Sequence, residues 1–580
     1  MIRERNRTMA MSRPGWRCSV KASVREIMQS PQTVIPYLSS WIRTRRWSGL
    51  VGVDRLGMKM LDSLTFSQGL DFLVFLTFVE ADGIKSGEKI RRGFFLPLFL
   101  TTSQSYASDY KEGTIIDCVD GKIRLVEAEL THHYNKELLN AFRSGKVFKT
   151  SSGGSIKFKL RSVSKLDIDL GEDISEPIVL GGGDTTNIIV KVTVDDYTSV
   201  VSKSYKVITE VNPEPEFLEA LADLEFRYAP RLLGKVTYKP QSGKSVVIEA
   251  LEEFVENDGD GGKPFVDDLM NRLQCMRAGT PQSSDFSIIE SGSRNLGKIM
   301  AEFHYAIYRC PKKGFRSEPI TSEDVKEQIR NVKRMLHEAL RGIEVIEDDH
   351  KLTSSARKVA LTLARRVETS EREIMKRMEI LTRTVGMKKI RTHQDLHLAQ
   401  TLSRKTASGY DFDIIDFEGD PQRSGLARKR KESPLRDLGT MARSFGYIKF
   451  LSLAEVMRGF PYSEALAVAA SISEKKRKHA LPRLTLDMEP DPVLVDLVKH
   501  ANRWEEKVEE AMLDGYIQRS RHLMAPYIPP SESDRDLVRS LVTAWKIEKA
   551  LLETMYELSH RIQNIIIPLD GILACIDRYP

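Results

Sequence analysis

Hydrophobic residues follow two different periods along the chain. From about Val34 to Val255 they come in short runs rich in β-branched and aromatic side chains, and turn signals such as Asp82-Gly83 separate the runs. Examples are DFLVFLTFVEA, GFFLPLFLTT, GSIKFKLRSVS, TNIIVKVTVDD and SVVIEALEEFV. These runs predict β-strands, while the stretch PEFLEALADLEFRYAP between two of them predicts a helix.

The second half has the period of amphipathic helices. Apolar residues recur at spacings of three and four in ESGSRNLGKIMAEFHYAIYR, in TSEDVKEQIRNVKRMLHEALRGIEVI and through the last ninety residues. The acidic, glycine-rich stretch from Glu256 to Gly262 lies at the junction of the two patterns and is predicted to be a hinge or linker. The chain therefore predicts a small β-rich part, a short connection and a large helical part.

Composition excludes several classes of protein. The chain has 580 residues, of which 41% are hydrophobic and 29% charged, so it is neither collagen-like nor disordered. A net charge of +7 permits an anionic ligand but is too small to predict a nucleic-acid partner. The five cysteines are far apart, and no apolar stretch approaches the roughly 20 residues of a membrane span, which favours a cytoplasmic protein. The basic N-terminus has no apolar core of a secretory signal.

One segment, IRTHQDLHLAQTLSRKTASGYDFDIIDFEGDP, carries the candidate chemistry. It places Asp395 five residues before Gln400, and a predicted buried strand then ends at Asp416, the first residue of Asp-Phe-Glu-Gly. Order and spacing resemble the H-R-D-x-x-x-x-N and D-F-G motifs of protein kinases. Phosphoryl transfer needs a carboxylate to orient and deprotonate the acceptor hydroxyl, and hard oxygen ligands for Mg²⁺. Asp395 fits the first role, and Gln400 and Asp416 fit the second.

The same residues also have an ordinary interpretation, as a helix cap and an exposed acid in a loop. The joint order and spacing of three elements favour the functional interpretation. His393 is interpreted as a brace for the loop backbone, and His397 stays open between a structural and a substrate role. A zinc site made from the two histidines is rejected, because the HExxH frame is absent.

A kinase also needs a lysine for the nucleotide phosphates, held by a glutamate on a helix. Lys203 and Lys206 both lie in the strand-like run VVSKSYKVI, and strand alternation favours Lys203 only weakly. Glu216 opens the following helix. The predicted phosphate loop runs from Gly181 to Asn187, and the predicted interlobe hinge, whose backbone would pair with adenine, runs from Leu251 to Val255.

At this point the sequence resembles the maltokinases, which are related to aminoglycoside phosphotransferases and glucosamine kinases. The similarity rests on LSSWIRTRRWSG, on IEALEEFVENDGDGG, on LGKIMAEFHYAI, on RTHQDLHLAQ, on DFEGDPQRSGLARKRKESPLRDLGTMARSFGY and on the C-terminal WKIEKALLETMYELSHRI. It implies an α+β fold with two protein-kinase-like lobes behind a β-rich cap. The implied divisions are residues 1–25 (basic extension), 26–175 (cap and intermediate subdomain), 176–262 (rest of the N-lobe, with the hinge) and 263–580 (helical C-lobe).

The resemblance also assigns roles to single residues. It implies Asp395 as the catalytic base, Gln400 and Asp416 as Mg²⁺ ligands, and Lys203 with Glu216 as the phosphate lysine and its partner. The remaining implied nucleotide contacts are Thr186, Asn187, Glu253 and Val255. The candidate sugar contacts are His397, Arg436, Tyr556 and Glu557. The catalytic loop departs from the family where Gln394, Leu396 and Ala399 replace Gly, Tyr and Gly, so the surroundings of the acceptor differ.

The function expected from this resemblance is an ATP- and Mg²⁺-dependent kinase that converts maltose to maltose 1-phosphate, in association with a trehalose synthase. One alternative is a kinase of glucosamine or another amino sugar, and another is an inactive nucleotide-binding partner of trehalose or glycogen enzymes. The basic runs from Arg428 to Lys431 and from Lys475 to His479 have no interleaved aromatic residues, so they are interpreted as solvated surface and no nucleic-acid partner is expected.

Overall fold

The computed structural model describes residues 17–19, 22–85, 87–103, 114–161, 173–181, 186–195, 198–280, 285–423, 425–474, 491–531 and 534–577. These residues belong to two compact units. The N-terminal unit contains the described residues up to Glu219 together with Pro230–Phe254. The C-terminal unit contains Ala220–Ala229 and the described residues from Val255 onward.

The N-terminal unit contains two seven-stranded sheets. The first sheet has the order β1-β5-β6-β4-β3-β2, with β12 also paired to β4, and its strands are β1 (Arg17–Ser19), β2 (Asp54–Gln68), β3 (Phe72–Lys85), β4 (Glu88–Thr101), β5 (Thr114–Cys118), β6 (Gly121–Glu127) and β12 (Val207–Ile208). The second sheet has the order β7-β8-β13-β14-β11-β10-β9, and its strands are β7 (Val147–Lys149), β8 (Ser155–Leu160), β9 (Ile178–Val179), β10 (Ile188–Val194), β11 (Thr198–Ser204), β13 (Leu232–Lys239) and β14 (Val246–Glu253).

Apolar side chains on both faces of the first sheet explain its position in this unit. The run FLVFLTFV on β3 is buried on both faces. One face packs with the second sheet and with a helix in a core that includes Phe78, Phe95 and Phe158. The other face packs with Trp41 and Trp47 from the N-terminal helices. The helices of this unit are α1 (Val24–Gln29), α2 (Ile35–Arg43), α3 (His132–Ser144) and α4 (Glu214–Asp223), whose last turn lies in the C-terminal unit.

The C-terminal unit is mainly helical, as its hydrophobic period predicts. Its helices are α5 (Lys263–Arg277), α6 (Ser287–Arg309), α7 (Ser322–Gly342), α8 (Val345–Asp348), α9 (Ser354–Thr369), α10 (Glu371–Glu379), α11 (Leu435–Val456), α12 (Tyr462–Glu474), α13 (Pro492–His522), α14 (Arg535–His560) and α15 (Ile566–Asp577). Its two three-stranded sheets contain β15 (Gly259–Asp260), β18 (Thr401–Thr406) and β19 (Gly409–Ile414), and β16 (Glu318–Pro319), β17 (Lys388–Arg391) and β20 (Lys431–Glu432).

Glycines set the closest packing of this unit, between α6 and α13. A Cβ on Gly297 would lie 1.9 Å from the carbonyl oxygen of Met512, and one on Gly515 would lie 2.0 Å from that of Arg294. Since no side chain fits at these distances, the two helix backbones touch where each helix carries a glycine. This crossing fixes α6, which contributes His304 to the site described below.

The mixed architecture with a β-rich N-terminal region is confirmed, but three details differ from the expectation. The strand β2 and the helix α3 were not predicted. The stretch from Glu256 to Gly262 is not a free linker, because Gly259 and Asp260 pair with β18 and Gly261 donates its N–H to the Thr401 carbonyl. Within the described part of the chain, no helix combines the length and the hydropathy that crossing a bilayer requires.

Candidate active site

The loop between β17 and β18 carries Asp395, and α11 holds this loop in place. The N–H groups of His393 and Gln394 donate to the Asp437 carboxylate at 2.9 and 3.0 Å. The ring of His304 lies 3.2 Å from the same carboxylate. Burial raises the pKa of Asp437, but the hydrogen bond and charge of His304 outweigh it and lower that pKa overall. A buried carboxylate therefore fixes the backbone immediately before Asp395.

His393 braces the loop, as its sequence position predicts. Its Nε2 atom lies 2.9 Å from the carbonyl oxygen of Ile415, the residue before Asp416. The following residue, Gln394, has a φ of 72°, in the left-handed region that favours glycine. The resemblance places a glycine at this position, so the substitution keeps the backbone conformation at the cost of some strain.

Asp395 lies beside two groups that can carry positive charge. The Lys549 ammonium donates a 2.9 Å hydrogen bond to Asp395 Oδ1, and His397 Nε2 lies 3.7 Å from Oδ2. Burial raises the pKa of Asp395, but the charge of Lys549 outweighs burial and holds that pKa below its ordinary value. Burial lowers the pKa of His397, so its imidazole is neutral at pH 7. The carboxylate of the predicted base thus lies between an ammonium group and a neutral imidazole.

The hairpin of β18 and β19 brings the backbone at Gln400 close to the backbone before Asp416. The main-chain carbonyl oxygen of Gln400 accepts a 3.0 Å hydrogen bond from the N–H of Ile415, so Gln400 lies across the hairpin from the start of the Asp-Phe-Glu-Gly segment. Asp416 has a φ of 65°, and one of its carboxylate oxygens lies within 4.8 Å of one from Glu418. An amide and two carboxylates are hard oxygen donors of the kind that Mg²⁺ takes in proteins. The donor set thus fits Mg²⁺, with Glu418 as an additional candidate ligand.

In the N-terminal unit, the structure distinguishes the two candidate lysines. Lys203 on β11 lies 2.8 Å from the Glu214 carboxylate, and both side chains are buried. Lys206 is instead paired with Glu129 in the interior of the unit. Strand alternation had favoured Lys203, and the structure gives it a glutamate at the start of a helix.

The described ion pair of Lys203 is with Glu214, whereas Glu216 was the predicted partner. Glu214 is the first residue of α4 and is turned inward, where the Tyr205 hydroxyl also donates to it at 2.8 Å. Glu216 lies two residues further, about 200° around the helix, and is half-buried. Both acids lie in the first turn of the same helix, and pairing of Glu216 with Lys203 stays a prediction.

The structure describes the predicted hinge completely but the predicted phosphate loop only in part. Residues 182–185 of the phosphate loop lie outside the described residues; Thr186 and Asn187 follow them, and the Asn187 amide lies 3.5 Å from the Thr186 hydroxyl. At the hinge, the N–H groups of Glu253 and Phe254 donate to carbonyls within the N-terminal unit, at 2.9 and 3.2 Å. The Glu253 N–H group is therefore occupied within the unit, and the pairing of Glu253 and Val255 with adenine stays a prediction.

Two of the predicted sugar contacts are corrected by the structure. Arg436 is buried, donates at 2.8 Å to Glu548 and at 3.2 Å to the Gln394 carbonyl, and so braces the catalytic loop. Glu557 is buried and accepts a 2.9 Å hydrogen bond from the Tyr447 hydroxyl, along with others from Arg561 and Asn564. Both side chains are thus held by protein partners in the interior of the C-terminal unit.

The other two predicted sugar contacts stay predictions. Tyr556 is half-buried and stacks on the His560 ring, with a centroid separation of 4.4 Å. His397 lies beside Asp395, where an acceptor hydroxyl would arrive.

Five residues of the candidate site were not predicted from the sequence: Lys549, Asp437, His304, Glu214 and Glu418. Lys549 stands in the quoted WKIEKALL run, but nothing in a helical period identifies its target.

Comparison with solved structures gives the fold. A structure described as a glucosamine kinase in complex with glucosamine, ADP and inorganic phosphate aligns over 88% of this chain and 92% of its own, with a TM-score of 0.52 and 15% sequence identity. A second crystal form of glucosamine kinase gives a TM-score of 0.52 and 16% identity over the same shares. The chain has a kinase-like fold. No family model matches the sequence, so membership of the maltokinase family stays a prediction.

Proposed function

We propose that this protein is a kinase that transfers the γ-phosphoryl group of ATP to a hydroxyl of a sugar, with Mg²⁺ as cofactor. The single observation that carries the proposal is the Asp395 carboxylate, which pairs with Lys549 and follows backbone that Asp437 holds in place. The hairpin beside this loop begins directly after Gln400 and ends two residues before Asp416, and the Asp416 and Glu418 carboxylates lie close together. The kinase-like fold gives independent support.

In the proposed reaction, Asp395 orients the acceptor hydroxyl and takes its proton as the new phosphorus–oxygen bond forms. The bond between the γ-phosphorus and the β,γ-bridging oxygen breaks, and ADP leaves. His397 is neutral and would hold the acceptor oxygen from the other side. Mg²⁺ held by the oxygens of Gln400, Asp416 and Glu418 would neutralise the phosphate charge. Lys203, oriented by Glu214, is proposed as the lysine for the nucleotide phosphates.

The sequence resemblance favours maltose as the acceptor, with maltose 1-phosphate as the product and a trehalose synthase as a candidate associate. Glucosamine is the second candidate, because the glucosamine kinase structures align over most of this chain. The retained set of Asp395, Gln400 and Asp416 argues against an inactive nucleotide-binding protein, since such a protein has no chemical need for all three.

An acceptor panel tests the proposal. The purified full chain is incubated with ATP, Mg²⁺ and single sugars, including maltose, glucosamine and glucose, and ADP release is measured in a coupled assay. We expect release with at least one sugar, and a phosphorylated product whose mass exceeds that of the sugar by one phosphoryl group. ATP binding without turnover for any acceptor would contradict the proposal and favour the inactive alternative.

Asp395→Asn tests the base directly. The substitution keeps the shape of the side chain but removes the proton acceptor, so kcat should fall by about 10²- to 10⁴-fold, with little change in ATP affinity. Asp514→Asn is the matched control, because Asp514 also pairs with a cation, Arg535, but has no described contact with Asp395. Equal kcat values for the two variants would remove Asp395 from the mechanism.

A further inference from the structure

Lys549 is an unusual residue of α14. Its neighbours Lys546, Ile547, Glu548 and Ala550 are all buried, whereas 21% of the Lys549 side chain is exposed. Its partner Asp395 is 15% exposed. The pair is thus within reach of solvent, unlike the buried ion pair of Lys546 with Glu509 one turn earlier. A lysine that only stabilised the helix interior would have no reason to end on the carboxylate of the candidate base.

The two oxygens of Asp395 have different surroundings. Oδ1 accepts the 2.9 Å hydrogen bond from Lys549. Oδ2 lies 3.7 Å from His397 Nε2, which is too long for a hydrogen bond. A hydroxyl oxygen placed between these two atoms can donate to Oδ2 and accept from Nε2. The lysine therefore holds one oxygen and leaves the other for the acceptor.

The helix α14 contacts the loop that carries Asp395 through two consecutive residues, Glu548 and Lys549, which are linked to the consecutive loop residues Gln394 and Asp395. Glu548 accepts from Arg436, whose guanidinium also donates to the Gln394 carbonyl. Lys549, the next residue of α14, donates to Asp395, the next residue of the loop. Gln328 from α7 donates to Glu548 at 2.8 Å and fixes the other side of that carboxylate. The position of Lys549 is thus set by a network and not by one flexible side chain.

We propose that Lys549 is a positioning residue of the kinase reaction, which holds the Asp395 carboxylate ionised and turned so that Oδ2 faces the acceptor hydroxyl. The inference rests on the proposed function. The charged or titratable groups facing Asp395 are Lys549 from α14 and His397 and His393 from its own loop. Lys549 in turn is influenced by Asp395, Glu553 and Asp420. Lys549 makes Asp395 a weaker base, so its benefit lies in orientation and ionisation, as suits a transition state with little proton transfer.

The test compares Lys549→Met, Lys549→Arg and Lys389→Met in the full chain. Lys389 is the matched control: its ammonium lies 2.7 Å from Asp324, and it is 17% exposed, but it has no described contact with Asp395. Measured are kcat, KM for the acceptor, the Kd of ATP and the pH dependence of kcat/KM. Lys549→Met should lower kcat by about 10- to 100-fold, less than removal of the base itself, and should leave the Kd of ATP within about twofold.

The pH profile separates positioning from a merely structural role. Without the lysine, the pKa of Asp395 should rise. The fall of kcat/KM at low pH, which is the acid limb of its pH profile, should therefore move to higher pH. Lys549→Arg should recover at least part of the wild-type kcat and should return the acid limb to its wild-type pH. Lys389→Met should change neither kcat nor the pH of the acid limb. A fall in kcat with an unmoved acid limb, or the same fall in Lys389→Met, would overturn the proposal.

A double-mutant cycle, measured by thermal unfolding, tests the ion pair between Lys549 and Asp395 independently of turnover. The Tm values of Lys549→Met, Asp395→Asn and the double variant are compared with that of the wild type. If Lys549 holds Asp395, the double variant should lose less Tm than the sum of the two single losses. Additive losses would overturn the pairing even in an active enzyme. A wild type without turnover for any acceptor, but with a non-additive cycle, would instead refute the proposed function and leave the pairing intact.

Discussion

Glu249 in the N-terminal unit and Asp395 in the C-terminal unit are both carboxylates enclosed by protein, yet their pKa values move in opposite directions. Glu249, in the strand β14, accepts hydrogen bonds from the Tyr134 hydroxyl at 2.6 Å and from the Ser202 hydroxyl. Burial raises its pKa to about 7. Asp395, in an irregular loop, has a lysine 2.9 Å away, and its pKa lies below the ordinary value.

The contrast shows that the nature of the partner, and not burial, decides the charge of these two acids. Neutral hydroxyl donors stabilise the ionised form of Glu249 too weakly to offset its desolvation. A full positive charge near Asp395 does offset it. The N-terminal unit has a buried lysine in this region, Lys206, but it is paired with Glu129, whose charge also raises the pKa of Glu249. Two acids thus share the influence of one cation.

The largest expected effect comes from removing that shared cation. Lys206 and Glu129 are both about 1% exposed or less, so Lys206→Met leaves a carboxylate buried without its charge partner. We expect the free energy of unfolding of the N-terminal unit to fall by about 3–5 kcal/mol. Chemical denaturation of the full chain, followed by the fluorescence of Trp41 and Trp47 in that unit, measures the loss.

The double variant Lys206→Met/Glu129→Gln is the control for this prediction. It removes both charges, so most of the lost stability should return, because a neutral amide costs much less to bury than a carboxylate. If the double variant were no more stable than Lys206→Met, the loss would come from packing of the lysine stem and not from the uncompensated charge.

A smaller, pH-dependent effect is expected for Glu249→Gln. The folded pKa of Glu249, about 7, lies above its ordinary value of 4.5. The protonated acid is therefore the form that suits the fold, and its stabilising contribution is complete below pH 4.5 and is lost as the pH rises through 7. The variant should match the wild type near pH 4.5 and exceed it by about 3 kcal/mol at pH 8.

Melting temperatures of wild type and Glu249→Gln across pH 4.5 to 8 check this prediction. The informative quantity is the difference between the two curves, because other groups titrate in both proteins alike. A difference that does not grow with pH would mean that Glu249 is ionised in the fold throughout, and the contrast with Asp395 would then disappear.

The sequence predicted the elements whose pattern is regular. The buried runs of β3 and β4 and the amphipathic helices of the second half follow directly from their periods. The strand β2 was not predicted because its pairing with β3 shifts register between Met60 and Asp62 and again between Thr65 and Ser67. These shifts interrupt the alternation of buried and exposed side chains along the strand. The helix α3 (13 residues) was missed although it is longer than α4 (10 residues), which was predicted; its sequence HHYNKELLNAFRS follows the strand-like run GTIIDCVDGKIRLVEAEL with only Thr131, and no Gly or Pro, between them.

Local spacing could suggest candidate residues but not their distant contacts. Asp395, Gln400 and Asp416 are close in sequence, and one hairpin brings the backbone at Gln400 beside that at Ile415. Lys549 meets Asp395 across 154 residues, and no local pattern reports such a contact. Arg436 was misjudged for a related reason: α11 is buried on nearly all sides, so its hydrophobic pattern does not show which residues face a substrate and which form internal ion pairs.

The smallest expected effect concerns Gln394, the residue before Asp395, whose left-handed backbone distinguishes this loop from the strand that carries Glu249. Gln394 combines a φ of 72° with a buried amide that donates to the carbonyls of Ala427 and Arg430, at 3.3 and 3.4 Å. Gln394→Ala keeps the backbone strain and loses both hydrogen bonds, whereas Gln394→Gly loses the bonds but relieves the strain. The glycine variant should therefore be more stable than the alanine variant by about 1 kcal/mol.

Both variants should also loosen the segment that the amide holds. The segment from Arg428 to Lys431 contains four basic residues, of which Arg430 is exposed and the others are half-buried. The rate of limited tryptic proteolysis at this segment should therefore rise alike in Gln394→Ala and Gln394→Gly, while the melting temperature distinguishes the two variants. Equal stability of the two variants would show that the left-handed backbone carries no strain. An unchanged cleavage rate would show that the amide does not restrain the segment, and the loop around Asp395 would then be fixed by Asp437 and Arg436 alone.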